Sequence, residues 1–328
     1  MNAFLFAVNA VLPIVLMVSI GYVLKGIGWM SGDISKTINR LVFHVFLPVM
    51  LFLNIYKIES LSGMGGGYIL YTVALLVLIF GFSLPVVMLI AKQPKQRGSL
   101  LQATFRSNYA LVGIPLAQSL FGNAGVTVAT LLSAVVIPVL NVLAVISLTV
   151  FGGEGERPSV KKVLLGIVKN PLIQSVLLGV CALGVRALLV QWGVSFRLSD
   201  IKPVYSVMQD LSKLATPLAL LCLGAQFEFS AVSSMRREIL FGTLMRTLIV
   251  PILGIGTAFL FFRSNFSGAH FAAFVAVFAT PVSVSSVPMA QEMGGDVTLS
   301  GQLVVWSTLI SAFSVFLTSY LLRVAGIF

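Results

Sequence analysis

One short pattern occurs twice in this chain, each time inside a long apolar segment. The first copy begins at Pro115 and the second at Pro288, and both read P-x-A-Q-x-x-x-G followed by Asn or Asp. A proline inside a helix removes a backbone hydrogen bond and clashes with the preceding turn. Open backbone at bilayer depth is stable only where protein buries it or where it lines a water-filled cavity. The repeated pattern therefore predicts two interrupted membrane helices that meet at a cavity.

The composition indicates an integral membrane protein. Of the 328 residues, 58% are hydrophobic and only 9% are charged, whereas soluble domains carry about 25% charged residues. The net charge of +11 comes from basic residues scattered singly between apolar segments, which fits membrane topology better than nucleic-acid binding. Cys181 and Cys222 lie in apolar stretches without metal-ligand spacing. Because no Walker loop, His/Cys cluster or H-E-x-x-H motif occurs, we predict neither an enzyme nor a resident cofactor.

The apolar runs predict an all-α protein with ten transmembrane helices. The expected spans are 3–24, 38–56, 67–91, 99–121, 124–151, 171–191, 204–227, 238–262, 269–292 and 297–325. The distribution of Lys and Arg between the loops favours a multi-pass protein of the cell (inner) membrane with both termini outside. A linker at 152–170, whose second part could form an amphipathic helix, divides the chain into a first repeat at 1–151 and a second at 171–328.

Prolines mark the two repeats at matching places. Pro48, Pro85 and Pro115 fall in the second, third and fourth spans. Their counterparts in the seventh, eighth and ninth spans are Pro217, Pro251 and Pro288. Since each half has an odd number of spans, the halves must run in opposite directions. We therefore predict an inverted five-plus-five repeat in which the fourth and ninth helices are broken and cross.

Two stretches around the breaks carry a resemblance to a known family. The stretch Arg106-Ser-Asn108-Tyr-Ala-Leu-Val-Gly113-Ile-Pro115 resembles the fourth-span motif of the auxin efflux carriers. The stretch 279–296, which contains Pro281 and Pro288, is similar to their ninth-span motif, and Leu47-Pro48 fits the second span. The resemblance covers essentially the whole chain, and the short linker matches the compact prokaryotic form.

The resemblance implies a function and assigns different roles to two groups of helices. The family includes plant auxin exporters and bacterial permeases for malate and other organic anions, and its fold is similar to that of the sodium/bile-acid symporters. Spans one, two, six and seven would form a scaffold that mediates a homodimer. Spans three to five and eight to ten would form a transport domain that moves in an elevator-type cycle. Coupling to Na⁺ or H⁺ is left open.

The expected function is secondary transport of a small organic anion across the lipid bilayer, with no nucleic-acid partner. A ligand-sensing receptor that retains the fold is the alternative, and an intramembrane enzyme is disfavoured because no nucleophile–base pair is evident. Proline is well tolerated at the first position of a helix. We therefore expect Pro115 and Pro288 to begin second half-helices whose electropositive N-termini converge on an anion.

The residues around the breaks supply the candidate site. The substrate-binding candidates are Asn108, Gly113, Pro115, Gln118, Pro281, Ser283, Ser285, Ser286, Pro288 and Gln291. Other roles remain open for several of them: Asn108 could repair the opened backbone, and Gly113 could simply allow close packing. The serines and the two repeat-related glutamines could instead form hydrogen bonds within and between helices.

Two ionisable residues near the breaks have a possible charge role. Arg106 could recruit the anion, or it could snorkel or pair with an acid such as Glu292. Glu292 could carry a coupling ion or reach the membrane interface. Asp210 and Lys213 are expected to neutralise one another on one helix face. Three other ionisable residues are expected to be structural or interfacial: His44, Arg186 and Arg246.

Overall fold

The computed structural model describes residues 2–58, 65–152 and 160–328, and their regular structure is helical apart from one isolated β-bridge. The main helices are α1 Asn2–Gly26, α2 Gly32–Tyr56, α3 Gly66–Ile90, α4 Pro94–Phe105, α5 Tyr109–Phe151, α6 Val160–Lys169, α7 Pro171–Gln191, α8 Lys202–Gln226, α9 Arg236–Phe262, α10 Gly268–Phe278, α11 Ser286–Glu292 and α12 Val297–Val324. Two short turns, Leu198–Asp200 and Ala231–Ser234, precede α8 and α9.

Three of the prolines inside these helices follow a π-turn. The turn Val42–Phe46 precedes Pro48 in α2, Tyr109–Gly113 precedes Pro115 in α5, and Met245–Ile249 precedes Pro251 in α9. Each of the three ranges just given is a π-turn of five residues. A π-turn inserts an extra residue into the helix, which moves the carbonyl that a proline ring would otherwise strike. The prolines therefore bend these helices without ending them.

Helix α5 is a hairpin of two arms, 109–120 and 123–151. Phe121 has φ −140° and ψ 27°, and Gly122 has φ 58° and ψ −147°, a backbone region that is essentially restricted to glycine. The hydroxyl of Tyr109 in the first arm donates to the carbonyl of Ala129 in the second at 2.6 Å. The glycine of the first sequence pattern thus reverses the chain, which agrees with the predicted boundary between the fourth and fifth spans.

By length and apolar composition, six helices of the described residues could each cross a membrane: α2, α3, α5, α7, α9 and α12. The prediction of ten spans differs from this number for physical reasons. Helix α5 contains two arms, α10 and α4 are shortened by the breaks, and only part of α1, Val11–Gly26, qualifies as a shorter apolar helix. Helix α8 carries the exposed ion pair Asp210–Lys213, which lowers its apolar character.

Several helices start earlier in the chain than the predicted spans. Helices α2, α4 and α9 begin at residues 32, 94 and 236, whereas the apolar runs predicted 38, 99 and 238. Polar first turns explain the difference. For example, the side chain of Ser31 caps α2 by accepting from the N–H of Ile34 at 3.4 Å. The first part of the linker, 153–159, lies outside the described residues, and its second part forms α6.

The helices can be described in two groups, which contact each other extensively where α1 packs on α12. Helix α1 packs extensively on α8, and α2 packs on α7 and α8, which are the scaffold helices of the prediction. In the second group α10 lies against α5, α4 against α3 and α5, and α9 against α12. The outer face of α3 exposes large apolar side chains, including Leu70, Phe82 and Leu89 at 70–86%. Such a face is typical of contact with lipid.

Candidate functional site

Two helices break at the same place in the protein and pair through their open backbone. Helix α4 ends at Phe105 and α5 begins at Tyr109, while α10 ends at Phe278 and α11 begins at Ser286. The N–H of Asn108 donates to the carbonyl of Pro281 at 2.8 Å, and the N–H of Ser283 donates to the carbonyl of Arg106 at 3.1 Å. These bonds form an antiparallel bridge between Ser107 and Val282. The two interruptions therefore cross and satisfy each other's polar groups, as non-helical backbone at membrane depth must.

The first break lies earlier in the chain than the proline pattern predicts. The half-helix after it begins at Tyr109, so Pro115 is in its second turn rather than at its start. The π-turn Tyr109–Gly113 accommodates the ring, which is why helix can form on the N-terminal side of this proline. Pro288 does lie in the first turn of α11.

A buried arginine holds the carbonyl ends of both broken helices. Arg246 of α9 has no exposed surface. Its guanidinium donates to the carbonyl of Thr280 at 2.7 Å, of Val277 at 2.5 Å and of Phe105 at 3.3 Å. The C-terminus of a helix carries about half a negative charge. Arg246 therefore neutralises the ends of α4 and α10 and uses all three of its guanidinium nitrogens in doing so.

A second buried arginine lies at the break itself. Arg106 is 4% exposed. One guanidinium nitrogen donates to Oδ1 of Asn141 and to Oγ of Ser285, each at 2.9 Å, and the other contacts the sulfur of Met289. None of the ion pairs among the described residues involves Arg106. Its positive charge is thus held by neutral groups alone, which is costly in a protein interior.

A cavity of about 770 Å³ opens beside this guanidinium. Its walls come from α1, α2, α8, both arms of α5 and the two breaks, and its rim carries the exposed side chains of Asn9 and Lys213. No Asp or Glu of residues 2–58, 65–152 and 160–328 is among those that line it. The volume lies within the range of about 300–1,000 Å³ that is usual for small-molecule sites. The charge and size of the cavity suit a small anion.

Several polar atoms beside the cavity have no hydrogen-bond partner. They include Nδ2 of Asn108 and Oγ of Ser107, both on lining residues. The first residues of α5, from Tyr109 to Val112, also line the cavity. The N–H of Val112 already donates to the carbonyl of Asn108 at 3.0 Å, whereas the N–H groups of the three residues before it come too early in the helix for an intrahelical partner. A carboxylate could accept hydrogen bonds from such donors. The first residues of α11 do not line the cavity, so only one of the two expected N-termini faces it.

The structure brings five of the predicted site residues to the cavity wall and leaves the others elsewhere. The lining residues are Arg106, Asn108, Pro115, Ser283 and Ser285. The predicted residues outside the lining are Gly113, Gln118, Pro281, Ser286, Pro288, Gln291 and Glu292. Gln118 is exposed on α5, and Gln291 lies at the end of α11, so the repeat-related glutamines do not form a pair.

Glu292 does not pair with Arg106, which corrects one of the sequence interpretations. Its carboxylate lies 3.8 Å from Nε of Arg40 and 3.9 Å from Nδ1 of His44, both on α2. It also accepts from Nε2 of Gln291 at 3.0 Å. The expected ion pair between Asp210 and Lys213 is present at 3.0 Å.

Gly113 allows the close contact between α5 and α10. A Cβ atom at this position would lie 2.6 Å from the carbonyl oxygen of Ala276 and 3.2 Å from its carbonyl carbon. Because backbone cannot move aside as a flexible side chain can, Gly113→Ala is expected to destabilise the fold by about 1–3 kcal/mol. Thermal unfolding in detergent measures this. Gly184→Ala on α7, where a Cβ meets nothing within 4 Å, is the matched control and should not lower the melting temperature. Equal melting temperatures for the two variants would contradict this packing role.

Three residues that complete the site were not singled out for it by the sequence patterns. Arg246 was expected to be structural, but its position at the crossing was not evident. Asn141 and Met289, which contact Arg106, have no signal of their own. An ionisable residue inside an apolar span is the one available signal, and it applies only to Arg246.

Comparisons with known proteins identify the family and the fold of this chain. The family model described as a membrane transport protein matches residues 6–158 and 155–319. An uncharacterized transporter from Methanothermobacter thermautotrophicus is 24% identical over 97% of this chain and 99% of its own. The sodium proton antiporter MjNhaP1 from Methanocaldococcus jannaschii shares the fold, with a TM-score of 0.53 and 15% identity over 97% of both chains. The family match spans most of the sequence and agrees with the resemblance to the auxin efflux carriers, and the chain belongs to this family of membrane transport proteins.

Proposed function

We propose that this membrane transport protein is a secondary carrier for a small organic anion, such as a mono- or dicarboxylate or an auxin-like acid. The observation that carries the proposal is the guanidinium of Arg106, which is buried beside a cavity of about 770 Å³ and has no carboxylate partner in the part of the chain that the structure describes. A bound anion would supply the missing countercharge. Charge-assisted hydrogen bonds of this kind are about twice as strong as neutral ones.

The neighbouring groups suit a carboxylate in particular. Asn108 offers an amide N–H without a partner, and Ser283 and Ser285 offer hydroxyl groups that now bond to one another at 2.8 Å. Arg106 can present two parallel N–H groups to the two oxygens of a carboxylate, if Ser285 yields its place to the ligand. Apolar residues such as Ile14, Leu51 and Leu140 line other parts of the cavity and would contact the organic part of the solute.

The proposed architecture is the inverted five-plus-five repeat. It counts α1, α2, α3, α7, α8, α9 and α12 as one crossing each, the second arm of α5 as another, and each broken pair, α4 with the first arm of α5 and α10 with α11, as one more. The matching breaks in the two halves and their mutual backbone bonds support it. We further propose that α1, α2, α7 and α8 form a dimerising scaffold. The remaining helices would move past it in an elevator-type cycle, in the cell membrane with both termini outside.

Counterflow in proteoliposomes tests the carrier function. Vesicles loaded with unlabelled acetate, malate or indole-3-acetate would receive the same labelled acid outside, and saturable uptake above that of protein-free vesicles is expected for at least one of them. Repeating the assay with sodium or proton gradients identifies the coupling ion, for which the antiporter fold is suggestive. Equal uptake in the two kinds of vesicle for every acid would overturn the proposal. Thermal stabilisation by an acid that is not exchanged would favour the sensing receptor instead.

A further inference from the structure

Three helices are joined by amide side chains at the end of the molecule where α8 and α11 finish. Asn39 of α2 is fully buried. Its Nδ2 atom donates to Oε1 of Gln226 in α8 at 3.3 Å and to Oε1 of Gln291 in α11 at 3.1 Å. One side chain thus binds α11 and α8 at once.

Charged groups reinforce the contact between α11 and α2. Nε2 of Gln291 donates to the carbonyl of Lys36 at 3.0 Å. The adjacent carboxylate of Glu292 lies within 4.0 Å of nitrogen atoms of Arg40 and His44. The side chain of Glu292 is only 14% exposed, whereas that of Arg40 is 75% exposed, so the carboxylate faces inward and the arginine covers it. The last turn of α11 is therefore fastened to the first three turns of α2.

This contact lies at the opposite end of the cavity from its rim. None of its residues is among the cavity lining. Between the two lies Met289, which is fully buried and touches the guanidinium of Arg106. About one turn of α11 therefore separates the proposed anion site from the amide cluster.

The two hydrogen bonds of Asn39 belong to different parts of the molecule. The bond to Gln226 joins α2 to α8, which already pack together in the proposed scaffold. The bond to Gln291 joins the scaffold to α11, whose chain continues into the second group through α12. If Gln291 and Glu292 gave up their bonds to α2 for other partners, α11 would be free while the scaffold stayed intact.

We propose that Asn39, Gln226, Gln291 and Glu292 form an interlock that closes one end of the cavity, and that it opens by releasing α11 while Asn39 stays bound to Gln226. The inference rests on the proposed carrier function. It adds the contact that must break in each cycle and the contact that must not.

Two double-cysteine variants that share a cysteine at position 39 test whether the contact to Gln291 or the contact to Gln226 breaks. In a background without Cys181 and Cys222, one protein carries cysteines at Asn39 and Gln291, and its control carries them at Asn39 and Gln226. A short thiol-specific cross-linker should reduce anion exchange to the level of empty vesicles in the first protein and leave it unchanged in the control. The cross-linker is a bis-methanethiosulfonate, which joins each cysteine through a disulfide bond, so that a reductant cleaves the link and should restore exchange in the first protein, which shows that it remained folded.

Equal effects of the two links, or exchange that continues after complete linking of positions 39 and 291, would overturn the interlock. A second readout does not depend on transport. In the cysteine-free background with Met289→Cys, a membrane-impermeant maleimide added on the Glu292 side should react about tenfold faster when Asn39 is also replaced by alanine, because one buried hydrogen bond is lost. An unchanged labelling rate would refute the closure even if the protein carried no anion. Failure of exchange in the unmodified protein would instead count against the carrier function.

Discussion

Replacing Arg106 with methionine is expected to abolish anion exchange and to leave the protein at least as stable as before. The guanidinium is 4% exposed and bonds only to neutral groups, Asn141, Ser285 and Met289. Loss of one partner from a buried charge pair costs about 2–5 kcal/mol, so binding of the anion should weaken by at least about 30-fold. In the empty protein none of the described residues supplies a counterion for the same charge, and its removal relieves a desolvation penalty. Exchange in proteoliposomes and thermal unfolding in detergent measure the two effects.

The controls separate the role of Arg106 from a general effect of positive charge. Lys213→Met removes a cation from the cavity rim, where the side chain is 73% exposed and paired with Asp210, and exposed ion pairs contribute only about 0–1 kcal/mol. Exchange should therefore change little. Arg106→Lys keeps the charge without the planar fork of donors and should be intermediate. Normal exchange by Arg106→Met would show that Arg106 does not bind the anion. Loss of exchange together with a lower melting temperature would show that Arg106 is structural.

The sequence could predict the crossing but not its exact position. Backbone polar groups in lipid must be satisfied, so two matching proline patterns in opposed halves were enough to indicate paired interruptions. The prolines themselves do not mark the first break, because a π-turn lets helix form ahead of Pro115. Local hydrogen bonding decides between these possibilities, and the backbone partners, such as Pro281 for Asn108, are distant in the chain.

The cavity lining was predictable only in part, since it depends on how helices face one another. Asn108 and Ser285 were identified because they lie close to the patterns. Gln118 and Gln291 were singled out by their matching positions in the repeat, yet one is exposed and the other belongs to the interlock. An inverted repeat carries equivalent residues to opposite faces, so equivalence in sequence does not imply a shared site when the cavity opens to one side.

Replacing Arg246 with methionine is expected to have the opposite signature to Arg106→Met, a large loss of stability. The three carbonyl oxygens that Arg246 binds belong to Phe105, Val277 and Thr280, and two of them lie at or next to the ends of α4 and α10. Each buried acceptor that loses its donor costs about 1–3 kcal/mol. The removal of a buried charge offsets part of this, which leaves a net destabilisation of about 3 kcal/mol, visible as a fall of several degrees in the melting temperature.

The pair of arginines therefore provides a test in which each variant is the other's control. Arg237→Met, on the same helix but exposed, should melt like the unmodified protein. Arg246→Lys has one ammonium group for three carbonyls, so its melting temperature should lie between those of Arg246→Met and the unmodified protein. A variant Arg246→Met that melts normally but fails to exchange anions would place Arg246 among the substrate-binding groups. The structure argues against that result for two reasons. The guanidinium bonds to the carbonyls of Phe105 and Val277 at the ends of α4 and α10 and to that of Thr280 just beyond α10, and Arg246 does not line the cavity. One buried arginine is thus committed to the fold, and the other has no acidic partner among the described residues, so that its charge is available to the proposed anion.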